Sequence, residues 1–255
     1  LPDPVVELPS VARRDRLALA VQRALGRLTG LVWAPLVIGV MYFVYGWRIT
    51  DVTAIRRRYR ELLREGGPLL VCANHLTMID SFLVAWALGS PWWYIAHWSA
   101  LPWNVPERRN FAATPIAQAL VYLMKCLPIT RGGDRGEAGA VLTRIAFLVD
   151  RGEVALLFPE GGRSRTGRVE VERAAYGVGR LVAMLPGCRV LCVYLRGGRQ
   201  DGYSDLPGRG ETFHVQLECV EPRSELKGLR RAVDLARQIT ARLAAMESQH
   251  LAERA

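Results

Sequence analysis

Two stretches of the 255-residue chain carry side chains suited to chemistry. The first is Cys72-Ala73-Asn74-His75-Leu76-Thr77-Met78-Ile79-Asp80, an apolar run that ends in Asn-His and is followed by a carboxylate. A loop histidine can fold back onto a carboxylate in the first turn of the next helix. That pairing fixes the imidazole tautomer and stabilises the imidazolium once a proton is taken, which is the demand on a general base. In open α/β sheets, sites form outside the carboxyl ends of strands, and His75 falls at such an end. Taken alone, the spacing also fits a capped helix with a satisfied polar histidine. The second stretch, Val154 to Arg168, reads VALLFPEGGRSRTGR. Its two adjacent glycines allow a tight turn and a close approach of backbone to a ligand. Arg163, Arg165 and Arg168 supply planar forks suited to phosphate oxygens, and Glu160 beside them can hold a fork or bond a hydroxyl. Taken alone, this is also the composition of a basic, solvated turn.

The rest of the chain must position these groups. It is 50% apolar and 23% charged, enough for a sizeable core and unlike a disordered, collagen-like or disulfide-scaffold protein. Basic residues number 34 against 24 acidic, a net +10 carried almost wholly by arginine, since only Lys125 and Lys227 are lysines. Such an excess predicts anionic partners: nucleic acid, phosphorylated small molecules or an anionic membrane. The basic residues form no single stripe with interleaved aromatics, so a nucleic-acid partner is not expected. Cysteines 72, 126, 188, 192 and 219 lack zinc spacing, and several sit in apolar runs, which predicts reduced, buried thiols in a cytosolic compartment. His97, His214 and His250 are scattered and read as structural, and no metal is called for.

Short apolar runs with turn signals predict strands at 69–73, 92–96, 154–158, 190–195 and 213–219. Helical patterns lie between them at 81–88, 115–125, 135–151 and 174–185. The alternation predicts an α/β layered domain. Residues 225–250 close the chain as an amphipathic helix with Leu229, Val233, Ala236, Ile239, Leu243 and Met246 on one stripe. A polar, arginine-rich helix is expected from Asp51 to Gly67, stopped by Gly66-Gly67-Pro68.

Upstream, the first ten residues carry three prolines and read as an extended arm. Apolar and arginine residues mix at helical spacing from Val11 to Arg27, and Leu28 to Trp47 is then free of charge. That length matches a bilayer-spanning helix, although Gly30, Pro35, Gly39 and Gly46 interrupt it and arginines flank both ends. A membrane span and a helix lying in one leaflet both fit, and a buried core helix is the soluble alternative. A cleaved signal peptide is not expected. Residues 86–103 hold Trp86, Trp92, Trp93, Trp98 and Trp103, which suits a membrane interface, the wall of an acyl-chain groove, or a core.

Together the two motif stretches are far more specific than either. Asn74-His75 with Asp80, followed by Phe158-Pro159-Glu160-Gly161 with Arg163-Ser164, resembles the glycerolipid acyltransferase family, which includes lysophosphatidic acid and glycerol-3-phosphate acyltransferases. Leu127-Pro128-Ile129-Thr130-Arg131-Gly132 is similar to the family's second motif. Val190–Gly197 sits where the fourth belongs, with Cys192 in place of the usual proline. Thr77 stands where serine is common and Gly162 where threonine is common in the lysophosphatidic acid enzymes. The run GGRSRTGR looks more like the glycerol-3-phosphate branch, whereas the short chain and the Asn-His start look like the lysophosphatidic acid branch. The resemblance covers residues 68–197.

It implies an α/β fold with a layered mixed sheet flanked by helices, preceded by an N-terminal membrane-associated helical segment. Residues 1–67 would form the arm and membrane helices, and 68–255 the catalytic domain. The reaction implied is transfer of a fatty acyl group from acyl-CoA or acyl carrier protein to a hydroxyl of a glycerolipid or lysolipid, first of all 1-acylglycerol-3-phosphate, in phospholipid biosynthesis. Glycerol 3-phosphate or another lysolipid, such as a lyso-aminolipid, is the alternative acceptor. His75 would be the base and Asp80 its orienting partner. Glu160, Gly161, Arg163 and Ser164, with Arg131, would hold the acceptor. The acyl donor is a substrate, so no cofactor is expected. The expected location is the cytoplasmic face of the inner (plasma) membrane. No GxSxG elbow occurs, so a serine acyl-enzyme is not expected. A thioester or lipid hydrolase using the same His/Asp pair is the rival from another class.

Overall fold

The computed structural model describes residues 10–130 and 132–254. The proline-bearing arm therefore lies outside the described residues except for its last position, and so does Arg131.

The first helix is longer than its charge-free part. Helix α1 (Arg13–Gly39) passes through Pro35 and runs on as a π-helical turn, Val40–Val44. Together they make 32 residues whose most apolar window has a mean hydropathy of 1.6 and is 17% buried, long and apolar enough by composition to cross a membrane. Strand β1 (Arg48–Ile49) and helix α2 (Val52–Arg64) follow, and Gly66 and Gly67, both at positive φ, stop the helix before Pro68. Strand β2 (Leu69–Ala73) leads to α3 (Asp80–Leu88) and α4 (Pro91–Ala96). After β3 (Trp103–Asn104) come α5 (Arg108–Phe111), α6 (Pro115–Leu123) and α7 (Arg135–Asp150). The chain ends with β4 (Val154–Leu157), α8 (Tyr176–Ala183), β5 (Arg189–Gly197), β6 (Thr212–Val220) and α9 (Gly228–Ala252).

The six strands form one mixed sheet in the order β1-β6-β5-β2-β4-β3, in which β5 and β6 are antiparallel and the other neighbours parallel. Alternation along β2 sends Leu70 and Cys72 to one face and Leu69, Val71 and Ala73 to the other. The first face packs on α7, α8 and α9 through Ile145, Leu181 and Ile239, and the second on α2 and α3 through Tyr59, Leu62 and Leu83. A strand buried on both sides carries no polar alternation, and β2 is buried at every position.

One expected strand is a helix. Residues 92–96 belong to α4, because Pro91 is pre-set for a first helical turn and the Ser90 side chain accepts a bond from the Trp93 N–H. The stripe on α9 is rotated from the expected one: Leu229 is exposed, and Ala232 and Leu235 join Ala236, Ile239, Leu243 and Met246 in the core. Trp86, Trp98 and Trp103 are core residues, and of the five tryptophans only Trp92 is exposed. All five cysteines are free thiols, with Cys72, Cys188 and Cys192 buried.

Candidate active site

The site stands at the carboxyl ends of β2 and β4. As β2 ends, Asn74 exchanges two bonds with Leu195 of β5: its amide donates to the carbonyl (2.9 Å) and its oxygen accepts from the N–H (2.8 Å). This pins the chain where it leaves the sheet, so His75 starts the loop from a fixed point. His75 Nδ1 lies 3.0 Å from Asp80 Oδ2, as the spacing predicted. Asp80 is buried at the first turn of α3, where the helix dipole favours a negative charge. It also accepts from the N–H groups of Leu76 (2.6 Å) and Thr77 (2.7 Å) and from the Thr77 hydroxyl. With that many donors aimed at it, the carboxylate cannot turn away from the imidazole. A proton shared on the Nδ1 side leaves Nε2 with its lone pair, the arrangement of a base ready to take a proton. The imidazole stacks on Phe158, with centroids 3.9 Å apart and planes at 15°, so the second motif sets the ring plane of the first.

The arginine stretch leaves β4 through Phe158. A turn closes when the Gly161 N–H donates to the Phe158 carbonyl (2.9 Å), and Gly161 takes a φ of +67°, which a side chain would strain. The Ser164 N–H then donates to the His75 carbonyl (2.8 Å), tying the two motifs together. Ser164 is buried, and its hydroxyl is taken up by Thr166 and the backbone of Arg168. The structure thus places Ser164 inside the loop it builds. Glu160 is also buried: Oε2 accepts from the Glu170 N–H (3.3 Å), while Oε1 has no hydrogen-bond partner among the described residues. Burial pushes its carboxyl up to about 7.

Arg163 points to the loop between β5 and β6. Its Nη1 donates to Asp205 Oδ1 (2.6 Å) and the Ser204 carbonyl (3.2 Å), and its guanidinium lies 5.7 Å from the Tyr203 ring centre. The same loop covers the histidine turn, with the Ser204 N–H on the Leu76 carbonyl and the Met78 N–H on the Asp205 carbonyl, both 3.1 Å. Residues 199–204, 206–209 and 211 surround an open pocket of about 450 Å³. The sequence offered no signal for this loop or for Asp205, and Asn74 stood in the first motif without a role of its own.

The structure therefore brings His75, Asp80, Glu160, Gly161, Arg163 and Ser164 into one cluster of loops. Such a cluster can take a proton from a hydroxyl at His75 and present a guanidinium to an anionic group nearby. No curated protein matches the chain. A family model described as Acyltransferase matches residues 54–220, which includes both motif stretches and strands β2–β6, and the chain belongs to that family, the glycerolipid acyltransferases.

Proposed function

We propose that this acyltransferase moves a fatty acyl group from acyl-CoA or acyl carrier protein to the hydroxyl of 1-acylglycerol-3-phosphate, in phospholipid biosynthesis. The observation that carries the reading is the His75–Asp80 contact of 3.0 Å, with Arg163 held by Ser204 and Asp205 of the loop that covers the histidine turn. An unassisted alcohol is a weak nucleophile at neutral pH, so a positioned base has to take its proton as the C–O bond forms. His75 Nε2 does so, and Asp80 stabilises the resulting imidazolium. The tetrahedral intermediate then expels the thiolate, which recovers the proton from His75. General-base assistance of this kind is worth about 10²–10⁴-fold. Arg163 meets the acceptor phosphate as a charge-assisted fork.

In this reading the enzyme sits on the cytoplasmic face of the inner membrane, with α1 lying in one leaflet. The lysolipid then enters sideways from the membrane, and the donor arrives from water.

Release of free thiol from acyl-CoA by the purified protein, with and without acceptor, tests the proposal. Thiol release that depends on 1-acylglycerol-3-phosphate is expected, and His75→Ala lowers it by at least about 10²-fold while the protein stays folded. Equal release without any acceptor would identify a hydrolase, and release with glycerol 3-phosphate or a lyso-aminolipid alone would reassign the acceptor. Near-normal turnover in His75→Ala would remove the mechanism.

A further inference from the structure

We propose that Glu247, on α9 and beyond the family-matched region, is a positioning residue for Arg163, acting through a buried brace with Arg196; this rests on the reading that Arg163 holds the acceptor head. Arg196 lies near the end of β5 and is almost fully buried, so its charge must be paired and its donors filled. Glu247 Oε1 accepts from Arg196 Nη1 at 3.1 Å. Three further guanidinium bonds go to backbone: Nη1 to Gly167 O (2.9 Å), Nη2 to Asp201 O (3.0 Å) and Nε to Gln200 O (2.9 Å). Nη1 also donates to the Tyr194 hydroxyl, which donates to Glu247 Oε1, both at 3.5 Å. Glu247 Oε2 meanwhile accepts from the Val169 N–H at 2.9 Å.

One ion pair therefore fastens two loops. The loop carrying Arg163 is held at Gly167 and Val169, and the loop carrying its partners Ser204 and Asp205 is held at Gln200 and Asp201. The two backbones meet directly. Gly167 has a φ of +70°, and a Cβ there would lie 2.8 Å from Gly202 Cα. A side chain at α9 thus sets the spacing of the walls between which Arg163 lies, without itself reaching the site. Removing the Glu247 charge leaves Arg196 buried and unpaired and frees the Val169 N–H, so both loops lose their common anchor.

The test is steady-state kinetics of the full chain in detergent micelles, with acyl-CoA and 1-acylglycerol-3-phosphate varied in turn. Glu247→Gln keeps the size of the side chain but turns an amide N–H₂ toward Arg196 or the Val169 N–H, donor against donor. It is expected to raise the acceptor KM by roughly 10-fold, as a displaced contact group does, with the donor KM within about 2-fold of wild type. In an Arg163→Ala background the same change is expected to alter the acceptor KM by less than about 2-fold, because its effect runs through Arg163. A full, additive effect in that background, or an equal rise in both KM values, overturns the positioning role. If Glu247→Ala does not fold, the isosteric Gln variant carries the test. An acceptor KM unchanged in Arg163→Ala alone would fault the underlying reading of Arg163 instead.

Discussion

Arg163 and Asp205 face each other across two loops at 2.6 Å, yet Asp205 is 76% exposed. An ion pair that open to water contributes about 0.2–1 kcal/mol. A phosphate can therefore displace the carboxylate, which then remains close by and repels it. Asp205→Asn is accordingly expected to lower the acceptor KM by roughly 2–5-fold. Arg163→Ala removes a charge-assisted contact of about 1.5–3 kcal/mol and should raise that KM by roughly 10–150-fold. Acceptor titrations at saturating donor check both, and a KM that rises in Asp205→Asn would make Asp205 a support for the arginine and not its competitor. Glu160 adds a pH dependence. Its carboxyl ordinarily titrates near 4.5 and is pushed up to about 7, chiefly by burial, with the Glu170 N–H and Arg173 opposing. Below about pH 4.5 folded and unfolded chains both hold the proton. Between the two values the folded state keeps a proton that the unfolded state has lost, so stability falls as pH rises through this window. Glu160→Gln retains an acceptor for the Glu170 N–H without the ionisation. Its melting temperature should match wild type at about pH 4 and exceed it increasingly up to about pH 8, whereas a pH-independent difference would count against a buried, proton-holding Glu160.

The elements that hold these residues were unequally legible in the sequence. Strands β2, β4, β5 and β6 and helices α3 and α6–α9 announce themselves by apolar runs, Gly and Pro punctuation and helical spacing, and their observed bounds lie within a few residues of expectation. Residues 92–96 read as a strand because their run of aromatics masks the Ser90-Pro91 start signal of α4. Strands β1 and β3, two residues each, exist only because a partner strand is already in place, and no local pattern marks them. The His75–Asp80 pair was readable because a fixed loop length joins its members. The Arg163–Asp205 and Arg196–Glu247 contacts join positions 42 and 51 residues apart, which spacing cannot reveal. Lys125 shows the same limit. It is fully buried at a positive φ, with Nζ on Glu153 (2.7 Å) and the carbonyls of Trp98 (2.9 Å) and Leu101 (2.6 Å). Burial outweighs the attraction of Glu153 and lowers its ammonium to about 8. It ties the tryptophan segment to the residue just before β4.

At the scale of the whole molecule, the proposed membrane association turns on how α1 sits on the fold. The helix is docked on the catalytic fold: the Gln22 amide donates to the carbonyls of Tyr122 and Cys126 (both 2.9 Å), and Arg23 pairs with Glu153 at 2.6 Å. Gly26 and Gly30 let it lie close, since a Cβ at these positions would meet the Leu123 carbonyl (2.7 Å) and the Trp98 ring (2.9 Å). A helix tied down along one side is oriented by its domain, which favours lying in the interface over crossing the bilayer. Its other side exposes Leu17, Val21, Leu25, Leu28, Val32, Leu36 and Phe43, and the helices it packs against expose Trp92, Ile116 and Leu120. In the proposed arrangement, apolar insertion and arginine attraction to anionic headgroups would act as two signals. Deleting residues 1–47 would be a poor test, because Met41 and Trp47 belong to the core and the Trp47 indole donates to the Gly208 carbonyl at 2.7 Å. Point changes on the exposed side avoid that damage. Full-length protein is expected to float with phosphatidylglycerol-containing vesicles and to stay bound in high salt, since screening weakens only the electrostatic part. Changing Leu28, Val32 and Leu36 together to serine should lower vesicle partitioning by more than about 10-fold, given roughly 1.5–3 kcal/mol for each large apolar side chain withdrawn from water. The catalytic fold should keep its melting temperature, because all three side chains already face outward. Wild-type protein that stays in the buffer at low salt, or a triple variant that floats as well as wild type, would mean that this surface does not meet the membrane.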